Sequence, residues 1–301
     1  MLIEQEYFQF ITEGVQPVAD GADRICYTEA RDHFTGRAFR SFSIKMPLQG
    51  SVFYETASKA FSIEPGNYLL AVEQPGKMII DSDGICRCIC IDLSRNTIAG
   101  AIAALEAAGK LRAGQLPAAH FFSGDFFEQI CPVRSNDLGA ALGNLAGNLL
   151  NNNISVSQST FDNLARELVL QESANMECLQ RLKVQRQETK KDLLTRLWKA
   201  RYYMDEQYLR NPPIPEVAAY CNISGFYFFR SFKQAFAITP YEYMMSKRLT
   251  HAQQLVLNNV PITTVAGLCG FSDVFTFSKA FKKWSGVSPS GFRMSYARDA
   301  G

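Results

Sequence analysis

Two short segments near the C-terminal end of the chain combine aromatic residues and cations at the same spacing. They contain Phe226, Arg230 and Lys233 in the first segment, and Phe275, Lys279 and Lys282 in the second. Arginine and lysine bind guanine edges or phosphates, and an aromatic ring can contact the methyl group of thymine. The pattern therefore predicts two copies of one nucleic-acid-binding surface.

Helical periodicity places these groups opposite an apolar stripe in each segment. At about 100° per residue, Phe228 and Phe232 share one side of the first helix, and Phe277 and Phe281 share one side of the second. The residues predicted to face nucleic acid are Phe226, Tyr227, Phe229, Arg230, Lys233, Phe275, Thr276, Ser278, Lys279, Lys282 and Lys283. Two other interpretations stay open: a solvated basic face, or rings that pack on the preceding helix of their own motif.

An internal repeat indicates the elements that must hold these two faces. Residues 214–224 correspond to residues 262–272 at an offset of 48, and the correspondence continues beyond them at an offset of 49. Each copy predicts a short helix, a tight turn and a second helix. The sequence therefore predicts two helix-turn-helix motifs, over residues 214–236 and 262–284.

Single residues mark the turns and the helix starts within the repeat. Asn222 and Gly270 stand at the turns and are the residue types that best tolerate a positive φ. Ser224 and Ser272 are the predicted N-caps of the second helices. Residues 241–257 predict one connecting helix about 25 Å long, which would hold the two motifs about one DNA turn apart.

Residues 193–293 resemble the DNA-binding domain of the AraC/XylS family of bacterial transcription regulators. The resemblance is carried by Ile214 to Ser224, Phe228, Phe232, Lys233, Ile238 to Tyr243, Lys247 to Leu249, Ala252, Leu255, Ile262 to Asp273, Phe277 to Lys282, Gly286 to Pro289 and Arg293. It implies seven helices, binding of promoter DNA, and activation in preference to repression, with RNA polymerase as a further partner. The aromatic residues replace polar readers that are common in the family, which leaves Arg230 as the main hydrogen-bonding candidate of the first motif.

The charge of the chain is divided unevenly along its length. The whole chain of 301 residues has 31 basic and 29 acidic side chains, a net charge of +2. Residues 1–189 hold 16 basic and 22 acidic side chains, a net of −6, whereas residues 190–301 hold 15 and 7, a net of +8. This asymmetry favours a polyanionic partner for the second part.

The first part of the chain shows strand periodicity followed by helix periodicity. Short apolar segments separated by turn signals recur at about ten-residue spacing through residues 24–91, which predicts a small β-sandwich or barrel. Apolar residues at helical spacing follow over residues 138–150 and 158–170. The resemblance implies that this part is a cupin-like effector or dimerisation domain.

These observations together predict an α+β chain of two domains. Residues 1–170 form a cupin-like β-sandwich or barrel with following helices, residues 171–190 a linker, and residues 191–298 an all-helical DNA-binding domain. A ligand pocket in the first domain is predicted from Arg37, Phe39, Arg40, Phe42, Phe53 and Tyr54, with plain sheet core as the alternative. A homodimer seam is predicted from Leu138, Leu142, Leu145 and Leu149, with packing against their own β-domain as the alternative.

Two further functions stay open at this point. The first is a regulator without a small-molecule effector, controlled by a protein partner. The second is a cupin-type enzyme, which would need several metal-binding histidines; the chain has three histidines and none are paired at strand spacing. Cys86, Cys88 and Cys90 share one strand face but lack the usual CxxC spacing of a zinc site, so we expect no metal and no cofactor.

The sequence also predicts a cytoplasmic location without membrane attachment. Residues 1–10 contain no basic residue, unlike a secretory signal, and no stretch reaches about 18 consecutive apolar residues. The eight cysteines lie in apolar strand-like or helix-like contexts, as expected for reduced, buried thiols.

Overall fold

A computed structural model of the chain describes residues 7–10, 23–31, 34–37, 41–56, 59–72, 76–80, 85–151 and 156–299. The chain divides into two compact units, residues 1–176 and 177–301. The strands of the first unit are β1 Tyr7–Phe10, β2 Arg24–Arg31, β3 Phe34–Arg37, β4 Phe42–Gln49, β5 Val52–Thr56, β6 Ala60–Ile63, β7 Asn67–Ala71, β8 Gly76–Ile80, β9 Ile85–Leu93 and β10 Gln129–Pro132. Its helices are α1 Arg95–Ala107, α2 Asp137–Leu150 and α3 Gln158–Arg181, the last of which crosses the boundary between the units.

Two antiparallel sheets form the β-rich region that the sequence predicts. The larger has the strand order β1-β2-β9-β4-β7-β10, and the smaller has the order β3-β8-β5-β6. Val52 and Tyr54 of the smaller sheet pack with Leu69 and Cys88 of the larger sheet in one buried cluster. The two sheets therefore pack face to face, as their period-2 patterns require.

The opposite face of the larger sheet is covered by helices. Phe42 and Ile44 of β4 are fully buried in a cluster that includes Ile98 of α1, Leu142 of α2 and Leu164 of α3. Because both faces of the larger sheet are covered, its central strands are buried almost without interruption. This explains why β4 carries buried polar residues between its buried apolar ones.

The predicted homodimer seam is corrected by the packing of α2. Leu138, Leu142, Leu145 and Leu149 are only 1%, 0%, 8% and 7% exposed and belong to the core of their own unit. An amphipathic stripe shows that a helix must cover an apolar surface, and here that surface is the unit's own sheet. These four leucines are therefore not available to a partner chain.

The predicted ligand set is also dispersed among the residues that the structure describes. Phe42 and Tyr54 are fully buried, but in two different clusters on opposite faces of the larger sheet. Phe53, next to Tyr54 in β5, points the other way and is 38% exposed. Arg37 lies in β3, and Phe39 and Arg40 lie outside the described residues. The described rings thus pack as sheet core or surface and do not line one pocket.

The predicted linker coincides largely with helix. Residues 171–181 continue α3, since they contain neither glycine nor proline to end it. The boundary between the compact units falls between Met176 and Glu177, inside this helix.

The second unit is helical throughout its described elements. After α3 it contains α4 Gln187–Gln207, α5 Ile214–Tyr220, α6 Gly225–Phe236, α7 Pro240–Leu257, α8 Ile262–Leu268, α9 Val274–Ser285 and α10 Pro289–Asp299. Within residues 187–299 this gives the seven helices that the resemblance implies. None of the helices in the described part of the chain is long and apolar enough to span a membrane.

Candidate nucleic-acid interface

The first helix-turn-helix motif consists of α5, a turn and α6. Asn222 in the turn has φ 55°, which confirms the predicted left-handed turn residue. Ser224 occupies the predicted N-cap position of α6, although its side chain makes no capping hydrogen bond. Phe228 and Phe232 of α6 are fully buried, and their rings lie 5.6 Å apart. The apolar stripe therefore fixes the rotation of α6 and turns its other side outward.

The second motif repeats this construction with α8 and α9. Gly270 in its turn has φ 69°, and an added Cβ would lie 2.9 Å from the carbonyl oxygen of Leu209, so both conformation and space require glycine. The N-cap of α9 is Asp273 and not the predicted Ser272. Asp273 Oδ1 accepts from the backbone N–H of Thr276 at 2.7 Å. Hydrogen bonds from Thr276 and Ser272 lower the pKa of Asp273, because they favour its ionised form.

The predicted reading residues lie on the exposed sides of α6 and α9. Phe226 is 85% exposed and Phe275 is 84% exposed, so neither ring packs on the preceding helix of its motif. Tyr227 and Phe229 are 44% and 43% exposed. Arg230, Lys233, Thr276, Lys279, Lys282 and Lys283 are exposed, and Ser278 is partly buried.

One predicted reader is already engaged within the protein. Thr276 Oγ1 donates to Asp273 Oδ2 at 2.8 Å, so its hydroxyl proton serves the cap of α9. The hydroxyl oxygen retains its capacity to accept a hydrogen bond. Thr276 can therefore accept from a base edge without disturbing the cap.

The cations of both faces remain available for an anionic ligand. Within the described part of the chain, no carboxylate lies within 4.0 Å of the charged groups of Arg230, Lys233, Lys279, Lys282 and Lys283. Lys233, Lys282 and Lys283 stand in the last turns of their helices, where a cation is favoured by the helix dipole.

Glu242 is a carboxylate whose pKa is lowered by cations of both motifs. It forms a capping box at the start of α7, where Thr239 Oγ1 lies 2.7 Å from Glu242 Oε2. The hydrogen bonds from Thr239 and the positive charges of Lys233 and Lys283 lower the pKa of Glu242. An ionised Glu242 thus lies in the field of one cation from each motif.

The connecting helix α7 is anchored to the second motif through a buried arginine. Arg248 is 4% exposed, and its Nε donates to the carbonyl oxygen of Cys269 at 2.6 Å, while Nη2 donates to that of Gly270. Its guanidinium lies 4.2 Å from the centre of the Phe271 ring. These contacts satisfy carbonyl groups at the end of α8, which the helix itself leaves without partners.

The same helix is tied to α4 through Tyr243. Its hydroxyl donates to Asp205 Oδ1 at 2.6 Å and accepts from Arg201 Nε at 2.9 Å. Lys247 Nζ lies 2.8 Å from the same Asp205 oxygen. The helix α7 also contacts both α6 and α9, and so forms a fixed support between the two reading helices.

Comparison with known proteins agrees with this construction. A family of helix-turn-helix domains matches residues 217–295. The raffinose operon transcriptional regulatory protein RafR of Pediococcus pentosaceus is 37% identical over 94 residues, which are 31% of this chain and 34% of that protein. The arabinose operon regulatory protein of Escherichia coli is 33% identical over 93 residues, 31% of this chain and 32% of that protein. Residues 217–295 are an AraC-type helix-turn-helix domain.

One solved structure is similar to about a third of the chain. A transcriptional regulator of Chromobacterium violaceum with an AraC-type DNA-binding domain is 26% identical and has a TM-score of 0.32, with 33% of this chain and 89% of that chain covered. This chain spans about a third of the length of the two curated relatives described above.

Sequence reasoning missed two residues that shape the interface. Asp273 was overlooked because Ser272 beside it is also a good capping residue, although aspartate is itself among the preferred N-cap residues. Arg248 was noted only as part of the resemblance. Its signal was a cation directly before Leu249, on the buried side of α7. Within the described residues, no cluster of three or more His, Cys, Asp or Glu is placed to hold a metal ion.

Proposed function

We propose that this chain is a sequence-specific transcription regulator that reads two adjacent major-groove segments of promoter DNA. One observation carries the proposal: two helix-turn-helix motifs present equivalent outward faces, each with an exposed phenylalanine and exposed cations. A helix of this kind fits the major groove, with cations on guanine or phosphate and the ring on a thymine methyl group. Footprinting of the purified chain on the DNA upstream of its own gene tests it, and the absence of any protected site would refute it.

The finer assignments rest on the family resemblance. We propose activation in preference to repression, contact with RNA polymerase, a homodimer, and a cytoplasmic site of action with the promoter. We also propose that the sheet-rich first unit is cupin-like and reports a small-molecule effector. Residues 1–189, which include this unit, carry a net charge of −6 and are unfavourable for binding DNA, which supports different roles for the two units.

Control by a protein partner, without a small-molecule effector, is the alternative. Calorimetric titration of the full chain with pooled metabolites separates the two. Saturable heat from one pool supports effector control, and its absence from every pool favours the partner. The curated relatives described above are regulatory proteins, which favours a regulator over a cupin-type enzyme.

Arg230→Ala and Lys279→Ala are each expected to weaken binding to the specific site by about 1–3 kcal/mol and to relax the preference at one base pair. Both side chains are exposed on the faces that carry Phe226 and Phe275, so their loss removes a base contact without disturbing the core. Fluorescence anisotropy with specific and random duplexes measures the effect. Arg112→Ala, an exposed cation of the first unit, is the matched control. Equal weakening on both duplexes would reduce Arg230 and Lys279 to phosphate contacts.

The two half-sites are expected to share a thymine at equivalent positions, because Phe226 and Phe275 occupy equivalent positions in the two motifs. Replacing that thymine with uracil removes only the methyl group, and should cost the wild-type chain about 0.8 kcal/mol in either half-site. Phe226→Ala should abolish the cost in one half-site and Phe275→Ala in the other. Competition binding measures both uracil effects, with four duplexes that carry thymine or uracil at this position in each half-site. A uracil effect that survives both variants would show that neither ring reads the methyl group.

A further inference from the structure

A row of three side chains crosses the larger sheet of the first unit outside the proposed interface. Cys90 of β9 stands directly opposite Lys45 of β4 on one side and directly opposite Cys26 of β2 on the other. Side chains of directly opposed residues project to the same face of a sheet, with Cβ atoms about 4.5–5.5 Å apart. The Cys90 thiol is therefore flanked by an ammonium group and by a second thiol.

The next row of the sheet holds the lysine in place. Ser43 and Arg24 stand directly opposite Asp92, two residues beyond Cys90 on the same strand. Asp92 accepts from Ser43 Oγ at 2.6 Å and from Arg24, and its Oδ1 lies 3.8 Å from Lys45 Nζ. Lys45 is only 4% exposed, so its charge is fixed inside the sheet beside the Cys90 row.

The surroundings of Cys26, Cys88 and Cys90 give their thiols different reactivities. Cys88 Sγ lies 4.0 Å from Cys90 Sγ, and the hydrogen bond from Cys88 together with the positive charge of Lys45 lowers the pKa of Cys90. Burial raises the pKa of Cys26 to about 11. Cys90 is also the one partly exposed cysteine among the eight, all of which lie in the described residues; the other seven are buried. Because the thiolate is the nucleophile, Cys90 is the cysteine best placed to attack a small solute.

Backbone geometry selects Cys26 over Cys88 as the partner of Cys90. Cys88 and Cys90 are two residues apart on one strand, so their Cα atoms lie about 6.6 Å apart, near the upper limit for a disulfide. Directly opposed residues of antiparallel strands have Cα atoms about 4.5–5.5 Å apart, which lies within the usual range. A bond from Cys90 to Cys26 therefore needs less backbone movement.

We propose that Cys90 is an oxidation site for small hydroperoxides, with Cys26 as the resolving thiol. The Cys90 thiolate attacks one peroxide oxygen and the O–O bond breaks, which leaves Cys90 as a sulfenic acid and releases water or an alcohol after protonation. The Cys26 sulfur then attacks the Cys90 sulfur, the S–O bond breaks, and the Cys26 proton leaves with the departing hydroxyl group as one water. Two thiols are oxidised by two electrons overall, and one peroxide is reduced.

The test is peptide mass mapping of the full chain after treatment with hydrogen peroxide at neutral pH. The expected product is a single Cys26–Cys90 disulfide, with Cys178, Cys221 and Cys269 of the second unit still reduced. In Cys26→Ser, the reaction should stop at a Cys90 sulfenic acid, which dimedone traps. Cys90→Ser should leave Cys26 and Cys88 unmodified.

The role of Lys45 is tested by the rate of the same reaction. Lys45→Met should slow loss of the Cys90 thiol at neutral pH by about tenfold, because less of the thiol is ionised. Lys45→Arg keeps the charge and should largely restore the rate. Circular dichroism and thermal melting confirm that each variant is folded. A Cys88–Cys90 disulfide, modification spread over all eight cysteines, or a rate indifferent to Lys45→Met in a folded protein would each overturn the proposal.

Discussion

Phe277→Ala is expected to lower the free energy of unfolding of the AraC-type domain by about 3–5 kcal/mol, the usual cost of deleting a buried ring. Phe277 is fully buried between the rings of Phe271 and Phe281, at 5.3 and 5.6 Å. Phe275, two residues earlier on the same helix, is 84% exposed. Phe275→Ala should therefore change the stability by no more than about 0.5 kcal/mol.

Urea unfolding of the full chain, followed by tryptophan fluorescence, measures this difference. Both tryptophans, Trp198 and Trp284, belong to the second unit, so the signal reports on it. The Trp284 ring lies 5.9 Å from that of Phe281, in the cluster that the buried variant disrupts. At low urea, the order of the two variants should reverse for DNA affinity. Phe275→Ala should be folded but should bind the specific site more weakly than Phe277→Ala does. Equal stability losses in the two variants would contradict the orientation of α9.

The affinity for DNA is expected to fall about 40-fold when the salt concentration rises from about 50 to 200 mM. The estimate takes the three exposed cations of the two faces that are not assigned to bases, each neutralising one phosphate, and a slope of about −0.9 per phosphate in a plot of log affinity against log salt. These cations are Lys233, Lys282 and Lys283. They have no carboxylate within 4.0 Å among the described residues, so each is free to neutralise a phosphate and displace a counterion from the DNA.

The double variant Lys282→Gln with Lys283→Gln checks that the slope comes from these faces. It should make the slope less negative by about 1.8, since two phosphate contacts are lost. Removing two exposed basic charges from the first unit, with Lys110→Gln and Arg112→Gln, is the matched control and should leave the slope unchanged. A wild-type slope near zero would show that DNA is not bound through these cations.

The interface was predictable because it depends on residue types at short spacing within each motif, and the motif occurs twice. Helical spacing separates Phe226 from Phe228 and Phe275 from Phe277, and the structure buries the second ring of each pair while exposing the first. The left-handed turn at Asn222 was equally readable, because few residue types tolerate a positive φ. Their contact with bases remains a prediction, since it depends on a ligand.

The first unit was less predictable because its decisive contacts are distant in sequence. The leucine stripe of α2 required an apolar surface, and period alone did not distinguish a partner chain from the unit's own sheet. The described rings of the predicted pocket were separated for a related reason. Phe42, Phe53 and Tyr54 are close in sequence, but strand alternation and the covering of both sheet faces separate them.

The sequence by itself determined the two-part division of charge, the two helix-turn-helix motifs and the outward side of each reading helix. Each of these follows from residue types at fixed short spacing, which backbone geometry converts directly into a turn or a helix face. Only the tertiary structure decided what covers α2, that Arg248 caps the end of α8, and that Lys45 and Cys26 flank Cys90. Strand register and helix packing bring together residues far apart in the chain. Hydrophobic periodicity shows which face is apolar but does not specify which element packs against that face.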